Sequence, residues 1–401
     1  MAYEDYLVKP FDVLFFRDNK AFNFGEWFTE GIFPPLASTF QGLIRTTILV
    51  QNNKIGPDGK LIDVKEAEDL VGNDINFPLD ILGPFIHNGK KLFIPTPKDT
   101  VVIQDGDSKE IKEYRQLRLS KKKNLISSDL ELFLHYSIDN PKTKHLFWST
   151  PNIPIELFNK YRQSGILNQS EVEECEQPYS AEDHIGIELE YKSGKERFKK
   201  TKEGQFYMTK YHRFKNGGGL YFAIKNKNST IEKFELNGKY GKLGSEGRGV
   251  SIESVKTGIN LKQDDSFYTG IAQKRKFKII LLTPGIFPNG WLPIEPDDKI
   301  SFHLIYAITD SPMKISGYSQ LKQKDAKIGN DVGFGKEKTR GYGVKPQVKA
   351  VPAGAVYYFE VDNSLSEETI AAWLKSIDGS KIDNDQYSRM GYNHIAVGKI
   401  I

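Results

Sequence analysis

Alternation of apolar and polar positions opens the chain. "YLVKPFDVLFF" (6–16) has the period-two pattern and aromatic content of a strand. "RDNKAFNFGEWFTEGIFPP" then forms a loop, which Pro34–Pro35 closes to any regular element. In "STFQGLIRTTILVQ" the period changes to helical: Phe40, Leu43, Ile44, Thr47 and Ile48 share one face, and Arg45 points away. Ser38 and Gln41 have the spacing of a capping box at its start.

Further along, "SDLELFLHYSI" predicts a helix within 100–178, a stretch expected to be an insertion. Residues 184–226 predict strands with a basic connection. Four glycines within 241–249 lead into the strand "GVSIESV". A second unit is expected from about 266, joined by a polar segment at 262–275. It contains the strands "KFKIILLTPGIF", "KISFHLIYAI" and "PAGAVYYFEV". Its helix, "SLSEETIAAWLKSI", has Ser364 and Glu367 as a capping box and Ile370, Trp373, Leu374 and Ile377 on one face. Gly379 ends that helix, and "RMGYNHIAVGKII" supplies a last strand. Both halves therefore suggest the strand–helix–strand–strand–helix–strand order of ferredoxin-like and RNA-recognition folds. The predicted fold is α+β, with two ferredoxin-like βαββαβ domains at 1–265 and 266–401 and an insertion at about 100–180.

Composition narrows the function. There are 56 Lys and Arg against 52 Asp and Glu, a net charge of only +4, so total charge does not single out nucleic acid. Its distribution is more informative. Residues 191–215 hold nine basic and two acidic side chains, and 109–123 hold seven and two, while acids gather at 58–80 and 169–190. Cys175 is the single cysteine, so no intrachain disulfide can form. "MAYEDYLVKP" does not resemble a signal peptide, and the purest apolar run, "IILL" (279–282), is far too short to span a membrane. A soluble, cytoplasmic protein is expected.

Enzyme motifs are weak. "GNDVGFGKEKTRGYG" fails the phosphate-loop pattern, because Asn330 takes the leading glycine position and Glu337 follows Lys336. The seven histidines show no metal-ligand spacing, and no metal or cofactor is expected. His212, between Lys210 and Arg213, is the one candidate general base; it equally suits the edge of a basic strand. The candidate RNA contacts are cationic or glycine-rich: Arg17 and Lys20 beyond the first strand, then "GSEGRG" with Gly244, Ser245, Gly247 and Arg248. That loop equally fits tight packing against a neighbouring helix. Arg340 and Lys345 flank Tyr342, an aromatic suited to base stacking.

Taken in order, "PFDVLFFRDNKAF", "FPPLASTFQGLIRTTIL", "HIGIELE", "GQFYMTKYHRF", "LGSEGRG", "LLTPGIFPNGWLP" and "KPQVKAVPAGAVYYFEV" resemble the RAMP proteins of CRISPR effector complexes. More narrowly, they resemble the family of third subunits of type III-B Cmr complexes. The resemblance implies a non-catalytic antiviral-defence subunit that holds the 5′ handle of the CRISPR RNA. Its implied partners are a Cas10-type large subunit, the first backbone RAMP subunit of the filament and, indirectly, target RNA. Ser38, Thr39 and Arg45 of "STFQGLIRTTILVQ", with Lys210, His212 and Arg213, complete the candidate RNA-binding set. The alternative is a RAMP endoribonuclease that processes precursor RNA with His212 as general base.

Overall fold

The computed structural model describes residues 3–17, 28–29, 31–72, 78–105, 107–121, 132–135, 143–148, 150–173, 176–191, 199–226, 231, 234–256, 258–293, 300–315, 318–319, 343–344, 347–362, 365–382 and 386–401. Two antiparallel sheets dominate. In the larger, the strand order is Asn152–Pro154, Leu92–Pro95, Leu79–His87, Gly219–Asn226, Glu4–Pro10, Arg248–Ser254, Lys239–Leu243. In the smaller it is Phe302–Ile308, Val356–Val361, Lys276–Leu281, Ile395–Lys399.

Side-chain alternation stacks these sheets. Tyr6, Val8, Leu220, Phe222, Val250 and Ile252 point to the helix Ala37–Gln51, while Leu7, Tyr221 and Ala223 point the other way. That second face meets Ile280, Val356, Tyr358 and Ala396 of the smaller sheet. The smaller sheet turns Phe277, Ile279, Tyr357 and Phe359 outward to the helices Asp265–Lys274 and Glu367–Ile377. The result is four layers: helix, sheet, sheet, helix. Ile286, Ile315, Ala350, Met390 and Tyr392, from the second half of the chain, complete the core beneath Ala37–Gln51.

Several sequence expectations change. The first strand ends at Pro10, which has no N–H for the ladder; Leu14 then pairs with His212 of another sheet. Helix Ala37–Gln51 buries its expected face, but its N-cap is Leu36, without a side-chain cap. Ser38 lies inside the first turn, and its hydroxyl accepts from Tyr392 Oη at 3.2 Å, so tertiary contact replaces the capping box. Within the expected helix at 128–138, Leu132–His135 is a strand paired with Arg118–Lys121. A short apolar run carries too little periodicity to separate the two states. Residues 265–274 are no polar linker but a helix capped by Asp264, with Phe267, Tyr268, Ile271 and Ala272 buried. In the last long helix Ser366, not Ser364, is the cap: its Oγ accepts from Thr369 N at 3.2 Å. Ser364 and Cys175 lie outside the described residues.

A buried polar cluster lies where the segment around Asp99 and Tyr161 meets the smaller sheet. Asp99 accepts from Lys278 Nζ at 2.6 Å, Tyr358 Oη at 2.7 Å and Tyr161 Oη at 3.0 Å. Arg162, on the helix Ile155–Ser164, places Nη1 at 2.7 Å from both oxygens of Asp378, which also accepts from Tyr268 Oη and Val397 N. These bonds tie the segment expected as an insertion to the smaller sheet.

His394 is buried as well, with Nε2 at 3.0 Å from Gly379 O. Desolvation, helped by the Lys381 charge, lowers its pKa from 6.5 to about 3. The folded chain keeps the imidazole neutral between those values, whereas the unfolded chain protonates it. Stability is therefore expected to fall as pH drops below 6.5, by up to about 1.4 kcal/mol per pH unit from this group. Urea midpoints across that interval should decline less steeply in His394→Gln; parallel declines would exclude His394 as the cause.

Candidate nucleic-acid interface

The glycine-rich loop joins two strands of the larger sheet, Lys239–Leu243 and Arg248–Ser254. Gly244 has φ 75° and ψ −169°, a region essentially closed to other residues. A Cβ there would stand 2.6 Å from Phe15 O. At Gly249 it would stand 2.8 Å from the Phe11 ring, and at Gly241 it would collide with Leu43 of helix Ala37–Gln51. Packing against the 11–16 segment and that helix thus accounts for three of the four glycines. Gly247, with φ 59°, has only the Lys242 side chain near its Cβ position, at 3.3 Å.

Hydrogen bonds lock the loop to the first strand's extension. Ser245 N donates to Phe15 O at 2.9 Å, and Arg17 N donates to Ser245 Oγ at 3.2 Å. Arg17, Gly244, Ser245, Gly247 and Arg248 therefore form one rim. Because Ser245 N is already paired within the chain, an anion at this rim would be met chiefly by side chains.

Arg248 lies across the Tyr211 ring, 5.1 Å from its centroid, and its Nη2 donates to Glu246 at 2.6 Å. Tyr211 is itself buried against Phe15 and His184. Alternation divides the basic strand Lys199–Phe214 into two faces. Tyr211 and Arg213 share one. Arg213 chelates Glu182 and also donates to Asp12 at 2.8 Å, and those two carboxylates raise its pKa further. Its charge is thus balanced locally, which the sequence could not show.

Lys210 and His212 occupy the other face. The His212 ring stacks on Phe33, with centroids 3.9 Å apart and planes at 6°, and meets Tyr179 edge-on. An imidazole between aromatic rings is a packing element here. Among the described residues no group of three or more His, Cys, Asp or Glu could hold a metal ion.

The remaining candidates lie apart. Thr39 belongs to the first turn of helix Ala37–Gln51, where its N–H donates to Leu36 O, and Ser38 faces Tyr392. Arg45 donates to Gly72 O, capping the helix Val64–Val71. Lys20, Arg340, Tyr342 and Lys345 fall outside the described residues. Tyr211, His184 and Asp12 are the members that sequence reasoning missed; only Tyr211, beside the cationic run, carried a local signal.

A family model described as "CRISPR-associated protein (Cas_Cmr3)" matches residues 6–400. The chain belongs to that family. The Cas_Cmr3 match takes in every segment of the rim, the smaller sheet and all of the larger sheet but Glu4 and Asp5. No curated protein matches the chain. Among solved structures, a chain of the Type III-B Cmr-beta bound to cognate target RNA is 15% identical, with a TM-score of 0.45 and 99% of each chain covered. A second, with AMPPnP also bound, is 16% identical with the same score and coverage. A chain of the Csm3–Csm4 subcomplex of the type III-A interference complex is 13% identical, with a TM-score of 0.32, covering 90% of this chain and 93% of that one. Among the described residues no helix is long and apolar enough to cross a membrane.

Proposed function

We propose that this chain is a non-catalytic RNA-binding subunit of a type III-B CRISPR effector complex, holding the 5′ handle of the CRISPR RNA. The observation that carries the proposal is the rim on which Arg17, Ser245, Gly247 and Arg248 converge, on a chain of the Cas_Cmr3 family. A single strand requires cations for its phosphates, and Arg248, held over the buried Tyr211 ring, provides one. The acid-rich segments 58–80 and 169–190 are left to contact a Cas10-type large subunit and the first backbone RAMP subunit.

Each domain is proposed to be ferredoxin-like, with the join near 265. Numbered by appearance, the four central strands of the larger sheet and the four of the smaller follow the same order, 2-3-1-4. In each, a strand is inserted between two that a helix connects: Gly219–Asn226 in the first unit and Lys276–Leu281 in the second. That is the split βαβ arrangement.

Arg248→Ala is the direct test. Its guanidinium must leave or share Glu246 to meet a phosphate, so the expected loss is about 1.5 kcal/mol, at the low end for a charged hydrogen bond. The slope of log affinity against log salt should flatten by about 0.7, one phosphate contact on a single strand. Unchanged affinity and slope for handle RNA, with subunit assembly lost instead, would assign the rim to a protein partner.

A further inference from the structure

Beside the rim, the larger sheet bears two aromatic rings in the open. Phe11 is 65% exposed and Tyr240 72%, with centroids 5.8 Å apart and planes at 43°. Strand register explains why they stand together. Phe11 N donates to Gly249 O at 3.1 Å, Gly249 is opposite Lys242, and Ser251 is opposite Tyr240 on one side and Lys9 on the other. Val250 and Ile252 point to the helix Ala37–Gln51, so their neighbours on these strands point away from it. Toward the sheet centre that opposite face is covered by the smaller sheet, which packs on Leu7, Tyr221 and Ala223. At the Lys239–Leu243 edge Tyr240 and Lys242 of that face are exposed.

Gly249 is what lets Phe11 lie over the sheet, since a Cβ there would reach to 2.8 Å from the ring. Charge surrounds the pair. Lys242 is exposed and makes no ion pair among the described residues. Lys9 is bonded to Glu253 at 2.5 Å, and Asp12, next to Phe11, accepts from Arg213 at 2.8 Å, so both of these acids are engaged with cations.

We infer that Phe11 and Tyr240 form a stacking platform for one or two bases of single-stranded RNA, with Lys242 meeting the adjoining phosphate. The inference rests on the RNA-binding reading above and extends the RNA path from the rim onto the sheet face. An open sheet face bearing aromatics is how RNA-recognition folds hold splayed bases, and stacking tolerates any base. A protein partner suits the patch less well, because burying these rings would also desolvate Lys242, and lysine is depleted at protein interfaces.

The test uses the full chain and a single-stranded oligoribonucleotide containing 2-aminopurine. Phe11→Ala and Tyr240→Ala should each weaken binding about five-fold or more and relieve the quenching of the probe. Tyr240→Phe should bind like the parent. Unlike Arg248→Ala, none of the three should change the salt slope, because no charge is removed. RNA binding that responds to Arg248→Ala but not to Phe11→Ala or Tyr240→Ala would overturn the platform and leave the rim standing. Full RNA affinity in the alanine variants, with lost assembly into the effector complex, would make the patch a protein contact. If the parent chain binds no RNA, both readings fall together.

Discussion

Asp99→Ala is expected to destabilise the chain by about 3–5 kcal/mol, because it strands a buried ammonium. Lys278 and Asp99 are both fully buried, and Asp99 is the acceptor shared by Lys278, Tyr161 and Tyr358. Desolvation already holds the Lys278 pKa below its ordinary value despite Asp99 beside it. Removing the carboxylate would take the shared acceptor from a buried cation and two hydroxyls. Exchanging the pair together, as Asp99→Leu with Lys278→Met, should recover the part of the loss that comes from the stranded cation, while the Tyr161 and Tyr358 hydroxyls still lack their acceptor. The measurement is the denaturant midpoint of the parent, the single variant and the double variant. A double variant no more stable than Asp99→Ala would show that the site contributes geometry which packing cannot replace.

Gly244→Val is expected to have the largest effect on RNA binding. Its φ and ψ lie where a side chain is strained by roughly 1–3 kcal/mol, and the new Cβ would press to 2.6 Å from Phe15 O. Relief of that clash would move Ser245 off Phe15 and Arg17 together, and Arg248 with them. Affinity for handle RNA should therefore fall further than in Arg248→Ala, alongside a lower denaturation midpoint. Gly247→Ala provides the contrast: it has positive φ, but only the flexible Lys242 chain lies near it. Equal RNA binding by Gly244→Val and the parent would show that the loop's conformation is irrelevant to its ligand.

Local chemistry carried some elements whole. The apolar faces of Ala37–Gln51 and Glu367–Ile377 depend on spacing within a few turns, and each is buried where the spacing put it. Helix starts were less legible. Ser38 and Ser366 are both competent caps by composition, yet Tyr392, from the other end of the chain, takes the Ser38 hydroxyl. Of the rim, Arg17, Gly244, Ser245, Gly247 and Arg248 were visible as a cationic, glycine-rich set, but the partners that position them were not.

By itself, then, the sequence determined the apolar faces of the helices Ala37–Gln51 and Glu367–Ile377, the family motifs and the glycine-rich character of the loop at 241–249. These depend on neighbours a few residues away, whose geometry is set by backbone sterics. Tertiary structure decided which charges remain available. Arg213 is neutralised by Asp12 and Glu182, Lys278 is sealed against Asp99, and Lys242 stays open beside Phe11 and Tyr240. Those outcomes depend on side chains tens to hundreds of residues apart meeting across sheets. Coulomb and desolvation energies act through space, so their sign at any lysine or arginine is fixed only once the layers have packed.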